Sequence, residues 1–240
     1  MAEFITAKQA AELIPDGAVI GLAGMGLSGW AEEVACAIRD RFKESGHPKD
    51  LHIKQGSAMG DWGVGNSFLG WDRSPRPDGP DKEHGARGAT RFGEAGPGLV
   101  KKWTSAHIGS AFSLLELTTK NELECYCLPQ GVIINLWREI GAGRPGLITK
   151  TGLGTFVDPR QGGGRMNDAA KDELVKLVEF DGEEYLFYPA FKPDVALLRG
   201  TVADENGNGI ACEIGGDLLT PGLGENDIRA ALESVYADNA

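Results

Sequence analysis

The sequence is poor in positive charge, in cysteine and in long apolar runs, and each shortage excludes a class of protein. With 24 Lys and Arg against 35 Asp and Glu, the formal net charge is −11. The chain therefore lacks the cationic surface that nucleic acids and anionic membranes require, although a local basic pocket for one anionic metabolite is still allowed. No apolar run approaches the roughly 20 residues that cross a bilayer. We expect no nucleic-acid partner and no membrane partner.

The four cysteines do not follow the spacing of a metal site. Cys125 and Cys127 lie two apart, whereas structural zinc sites use C-x₂₋₄-C with a second pair, and the histidines supply no such pair. We interpret the thiols as buried or half-buried side chains and expect no metal. The first residues lack a basic-then-apolar signal pattern, so we expect a cytoplasmic protein.

Glycine, in contrast, is abundant, with 35 in 240 residues, about twice the usual share. The glycines separate apolar segments that alternate between helical and strand patterns. Predicted helices cover 7–14 (with Thr6 as N-cap), 30–44, 110–120 and 132–141, and predicted strands cover 18–23, 51–55, 123–128 and 147–151. This alternation predicts an α/β fold with an open, mainly parallel sheet flanked by helices.

The last third of the chain changes to hairpin patterns. Asp181-Gly182 suits a tight turn between two strand-like segments. Predicted strands cover 174–180, 184–188, 194–199 and 201–203, followed by a turn at Asn206-Gly207 and a helix over 226–236. We predict a β-hairpin-rich C-terminal part.

Residues 56–97 interrupt this pattern. The segment holds Pro75, Pro77 and Pro80, many glycines and charges of both signs, with little periodicity. Long irregular connections are usually solvated insertions, disordered segments or covers over a site. We interpret it as a Gly/Pro-rich insertion loop and leave open whether it covers a site.

Two glycine-rich loops follow apolar segments and carry side chains suited to ligands. Leu128-Pro129-Gln130-Gly131 holds an amide, and residues 151–164 hold Asp158 and Arg160. Glycine lets backbone N–H groups approach a ligand closely, and open α/β folds bind ligands in loops at strand ends. The loops therefore predict a site, although a clasp between Asp158 and Arg160 is favoured over substrate contact for those two.

A third glycine cluster follows the first predicted strand. Gly24-x-Gly26-x-x-Gly29 fits the dinucleotide fingerprint formally. However, the second strand ends in Gln55 before Gly56, not in the acidic residue that binds a ribose. We favour a turn that lines a site, with turn geometry alone and nucleotide binding as alternatives.

Together these motifs resemble the amino-terminal half of the family I CoA-transferases, above all the short-chain acyl (propionate or acetate) type. The resemblance is carried by residues 128–135, 152–167, 174–186, 194–201 and 203–208. It implies an α/β fold related to the sugar-phosphate isomerase-like folds. It also implies one amino-terminal-type domain over 1–240, with the insertion at 56–97 and a divergent tail at 210–240.

The resemblance also implies a mechanism. Family members use a glutamate that attacks an acyl-CoA thioester and then carries CoA as a glutamyl thioester to a second carboxylate. By position, Gln130 takes the role of the amide that donates to the oxyanion. The residues implied to line the substrate are Gly24, Gly26, Gly131, Gly152 and Gly154. Coenzyme A thioester is then a substrate, and no tightly bound cofactor is expected.

The nucleophilic glutamate of the family belongs to its carboxyl-terminal half, and no matching motif stands in this sequence. Glu225-Asn226 is superficially similar, but Asp227 replaces the glycine, and a helix-start carboxylate is favoured instead. The resemblance therefore implies an alpha subunit or a truncated half. Its partner would be a beta-type subunit carrying the catalytic Glu, in a hetero-oligomer acting on acyl-CoA and a short carboxylate. The alternatives are an inactive remnant or scaffold, and a sugar-phosphate- or nucleotide-binding α/β domain.

Overall fold

The computed structural model describes residues 4–24, 30–57, 90–109, 111–200, 202–203 and 209–210. The chain divides into a compact unit of residues 5–198 and a second unit of residues 1–4 and 199–240. In the second unit, the described part contains an antiparallel pair of short strands, β9 (Val202–Ala203) and β10 (Gly209–Ile210). The predicted single domain over 1–240 stays a prediction.

The first unit alternates helices and strands. In chain order these are α1 (Ala7–Glu12), β1 (Val19–Leu22), α2 (Glu32–Ser45), β2 (Leu51–Gln55), α3 (Thr90–Gly93), β3 (Val100–Ser105), α4 (Phe112–Thr119), β4 (Glu124–Cys127), α5 (Gln130–Gly141), β5 (Gly146–Thr149), β6 (Lys176–Phe180), β7 (Glu183–Pro189) and β8 (Val195–Leu197). As predicted, Thr6 caps α1 and accepts a hydrogen bond from the Gln9 backbone N–H at 3.2 Å. Side-chain capping of this kind satisfies one of the unpaired N–H groups of the first turn.

The main sheet is parallel throughout, with strand order β4-β3-β2-β1-β8. This confirms the predicted mainly parallel sheet flanked by helices. Because strand side chains alternate between faces, the register places one apolar row on one face. Helices α1 to α4 pack on this row and complete the main core. The row consists of Ile20, Ile53, Trp103 and Cys125, all buried.

The opposite face of the sheet carries polar side chains and is covered in part by α5. Lys54, Thr104 and Tyr126 stand in register with Gly21 on this face. A Cβ at Gly21 would lie 2.5 Å from the Trp137 ring of α5. The absence of a side chain at Gly21 is what lets the helix approach the sheet this closely.

A second, antiparallel sheet has the strand order β5-β7-β6. Its hairpin turns at Asp181 and Gly182, whose φ angles are 51° and 76°. Two successive positive φ angles match the right-handed twist of the flanking strands, which confirms the predicted hairpin. Leu186 and Tyr188 of β7 are fully buried and pack with Val132, Ile133 and Leu136 of α5 in a second apolar cluster.

Two elements were missed in the sequence. Strand β3 carries Lys101 and Lys102, which break its apolar run, but the Lys102 ammonium pairs with Asp172 and lies 3.5 Å from Glu124. Helix α3 falls inside the predicted insertion, and its Phe92 is fully buried. Residues 58–89 of the insertion, the predicted turn at Asn206-Gly207 and the predicted helix over 226–236 lie outside the described residues.

Candidate active site

The loops that follow β1, β2, β3 and β4 all leave the main sheet at one edge, here called the carboxyl edge. Parallel strands end on the same side, where open α/β folds place their ligands. Gly24 lies just beyond β1 with φ 104°, and Gln130 and Gly131 lie just beyond β4. Three strand spacings, roughly 14 Å, separate β1 from β4 along this edge. Gly26 and Gly29 lie outside the described residues.

Gln130 is the first residue of α5. Pro129 precedes it in an extended conformation, with φ −57° and ψ 132°, and makes no side-chain cap. Gln130 is exposed, and its amide forms no hydrogen bond with any described residue. A Cβ built at Gly131 meets no atom within 4 Å, so the space beside the helix start is open. The first backbone N–H groups of a helix lack intrahelical partners and favour negative charge. The arrangement can therefore bind an anionic oxygen through an amide and a helix start.

The loop over residues 151–164 is held by a clasp between Asp158 and Arg160. The fully buried Asp158 carboxylate accepts from the Arg160 guanidinium at 2.8 and 3.0 Å and from the Gly154 backbone N–H at 2.9 Å. The Arg160 guanidinium beside it holds the pKa of Asp158 well below its usual range. Arg160 also donates to Glu184 at 3.0 Å. The favoured interpretation, a clasp within the loop, is confirmed.

Local backbone geometry and packing explain why glycine occupies two positions of this loop. Gly152 has φ 101°, and a Cβ there would lie 2.6 Å from the Tyr188 hydroxyl. Gly154 has φ 71°, and nothing lies within 4 Å of its Cβ position. The far end of the loop returns to the main sheet, where the Cys127 backbone N–H donates to the Gly164 carbonyl at 2.8 Å. The loop is thus fixed beside the end of β4, and the substrate-lining role of Gly152 and Gly154 stays a prediction.

Two neighbouring residues at the end of β2 were missed in the sequence. Gln55 is fully buried, and neither its amide nitrogen nor its amide oxygen has a partner among the described residues. Lys54, on the opposite face, donates to the Thr104 hydroxyl at 3.0 Å, and burial lowers the pKa of its ammonium to about 8. A lysine and a glutamine inside a central parallel strand are exceptions to its usual apolar composition, and that signal could have identified them.

The described cysteines behave as small buried side chains. Cys125 is buried, which raises the pKa of its thiol to about 11, and Cys36 and Cys127 are half-buried. Within the described part of the chain, no group of three or more His, Cys, Asp or Glu residues could hold a metal ion. In the same residues, no helix combines the length and apolarity needed to cross a bilayer.

Comparison with known families gives one match. A family model described as "Coenzyme A transferase" matches residues 85–221, more than half of the chain. Among solved structures, the chain is similar to the acyl-CoA transferase YdiF from Escherichia coli O157:H7 in a thioester complex with CoA. The TM-score is 0.72 at 34% sequence identity, and the match covers 85% of this chain and 36% of that one.

Curated relatives give the same picture. Caffeate CoA-transferase from Acetobacterium woodii is 60% identical over 208 residues, which is 87% of this chain and 35% of the relative. The alpha subunit of the acetoacetyl-CoA:acetate/butyrate CoA transferase of Clostridium acetobutylicum is 35% identical over 109 residues, 45% of this chain and 44% of that subunit. The chain spans about a third of the length of the caffeate CoA-transferase.

Proposed function

Because the chain belongs to the coenzyme A transferase family, we propose that it forms one side of an acyl-CoA:carboxylate CoA-transferase active site. In this proposal it is the alpha subunit or amino-terminal half, and a beta-type partner supplies the nucleophilic glutamate. The named alpha subunit among the relatives supports such a division between two chains. The observation that carries the proposal is the exposed amide of Gln130 at the carboxyl edge, which has no hydrogen-bond partner among the described residues.

The proposed reaction exchanges CoA between two acids through the glutamate. The glutamate carboxylate attacks the acyl carbonyl, and CoA leaves as a thiolate to give an acyl-glutamyl anhydride. The thiolate then attacks the glutamyl carbonyl and releases the first acid, which leaves a glutamyl-CoA thioester. A second carboxylate repeats these steps in reverse order and departs as its CoA thioester. Splitting one exchange into such covalent steps lowers each barrier.

Gln130 is assigned to the oxyanion that each attack creates. A carboxamide N–H₂ donates without bringing a competing charge, and it cannot consume the nucleophile by protonating it. The start of α5, which has no side-chain cap, adds favourable potential at the same place. Preorganised donors at a developing oxyanion are worth about 2.7–4 kcal/mol each in comparable acyl-transfer sites.

We propose two candidate classes for the acid that the enzyme exchanges. Likeness to the short-chain type favours acetate, propionate or butyrate as the exchanged acid. The structural relative YdiF is named an acetate CoA-transferase, which agrees with a short-chain acid. The relative at 60% identity is named a caffeate CoA-transferase, which favours an aromatic acid as the second candidate. A panel of acyl-CoA donors with acetate, butyrate and caffeate as acceptors separates the two.

The test is reconstitution with a glutamate-bearing beta-type partner. The complex should exchange CoA, and incubation with acyl-CoA without acceptor should leave CoA on the partner glutamate, detected by mass spectrometry and released by hydroxylamine. Asn135→Ala, which removes another exposed amide from α5, is the matched control for Gln130→Ala. A complex that forms but exchanges CoA with none of the acids contradicts the proposal and favours an inactive scaffold. Tight binding of NAD or a sugar phosphate by the chain alone favours the remaining alternative.

A further inference from the structure

We propose that the cavity between α5 and the polar face of the main sheet binds a short aliphatic carboxylate, with Lys54 holding its charged end. The cavity has a volume of about 130 Å³. Its walls come from β2, β3, α5 and the segment after β7, and include Lys54, Thr104, Leu128, Ile133, Leu136 and Phe191. We call it the Lys54 cavity. Its assignment to the acid exchanged by the enzyme rests on the proposed function, whereas carboxylate binding itself does not.

The polar end of the cavity holds a cation with unused donors. The Lys54 ammonium donates to the Thr104 hydroxyl at 3.0 Å and makes no other hydrogen bond and no ion pair with the described residues. An ammonium has three N–H donors, so two stay available. The Phe191 ring, whose centroid lies 5.4 Å from Nζ, adds a cation–π contact, but the ring carries no negative charge that would neutralise the ammonium.

The two acids whose charges act on Lys54 are engaged with other groups. Asp172 pairs with Lys102, and Glu124 accepts from the Tyr126 hydroxyl at 2.7 Å while lying 3.5 Å from the same lysine. Burial lowers the pKa of Lys54 to about 8, although Asp172 and Glu124 act in the opposite direction. A half-buried cation without a paired anion is costly, and a bound carboxylate offsets that cost.

The rest of the cavity is apolar and small. Leu128, Ile133 and Leu136 are buried, and Leu174 and Pro189 continue the apolar wall. A cavity of about 150 Å³ with such a lining accommodates one benzene, so the Lys54 cavity suits a molecule of about six non-hydrogen atoms, such as butyrate. Caffeate is too large to enter it completely. Glu173 lies exposed among the lining residues, where solvent screens its charge.

Two residues that line the Lys54 cavity, Leu128 and Ile133, flank the proposed oxyanion donor Gln130 along the chain. Ile133 and Gln130 are three residues apart on α5, and residues at this spacing are neighbours on a helix surface. Leu128 lines the cavity two residues before Gln130. The cavity is therefore walled by the same helix, α5, whose first residue is Gln130.

The test measures binding of butyrate to the full chain by calorimetry or ligand-observed NMR. We expect a dissociation constant of about 1–10 mM, typical of a ligand with so few atoms. Lys54→Met keeps the methylene stem and removes the charge, and it should weaken butyrate binding at least tenfold. Lys101→Met, on the exposed side of β3, is the matched control and should leave binding unchanged. Circular dichroism checks that both variants fold.

A comparison on the unmodified chain does not depend on variants. Butyramide has the shape of butyrate without its charge and should bind at least tenfold more weakly. Equal binding of the two, or no detectable binding of butyrate, overturns the Lys54 cavity as a carboxylate site. Lys54-dependent binding without any CoA exchange in the complex supports the cavity and rejects the proposed function. If CoA exchange depends on Gln130 but the wild-type chain does not bind butyrate, the proposed function stands and only the cavity proposal is rejected.

Discussion

Replacing Gln55 with Leu should make the protein more stable. Gln55 is fully buried at the end of β2, and neither polar atom of its amide has a partner among the described residues. A buried polar group without a hydrogen bond costs about 1–3 kcal/mol, and an apolar side chain of similar size removes that cost. We therefore expect Gln55→Leu to raise the free energy of unfolding by about 1–3 kcal/mol. For a chain of this size, each kcal/mol corresponds to about 2–4 °C in Tm.

Urea titration followed by circular dichroism measures this difference directly. Gln161→Leu places the same substitution on an exposed loop residue and should change stability by less than about 0.5 kcal/mol. Exchange activity of the reconstituted complex should stay within about threefold of wild type, because Gln55 faces the core side of the sheet, opposite Lys54 and α5. A less stable Gln55→Leu variant would show that the amide does have a partner and would refute the reasoning.

Two further predictions concern the polar face of the sheet. Gly21→Ala should destabilise the fold by about 1–3 kcal/mol, because its Cβ would lie 2.5 Å from the Trp137 ring. Adding Trp137→Phe should recover part of this loss, which urea titration of the single and double variants measures. Butyrate affinity should fall as the pH rises through about 8, because Lys54 loses its proton and its charge there. Ligand-observed NMR between pH 7 and 9 measures this change. The butyrate affinity of the Lys54→Met variant should not depend on pH in that range.

The fold was predictable wherever local pattern decided it. Residues 51–55 alternate and end at a glycine, and the structure gives strand β2 the same bounds. Asp181-Gly182 likewise specified its hairpin. Strand β3 was not predictable in this way, because the acid that pairs with Lys102 stands 70 residues further along the chain. Local sequence contains no information about such a partner.

The candidate site divides in the same manner. The position of Gln130 after a strand and at the start of a helix follows from the Pro-Gln-Gly sequence and the apolar pattern on either side. Lys54 was missed because its burial depends on α5 and on the segment around Phe191, which reach β2 only in the folded chain. Gln55 was missed because the core that buries it, on the opposite face of the sheet, is likewise assembled from distant parts of the chain. A polar residue in a central strand is a usable signal, but its partners are set by tertiary packing.

The most direct test of the central claim is the turnover number of the complex that carries Gln130→Ala. If Gln130 donates to the oxyanion in a site completed by a glutamate from the partner, kcat should fall by on the order of 10²–10³, while Asn135→Ala stays near wild type. A decrease of less than about threefold for Gln130→Ala would contradict the account and remove this amide from the chemistry.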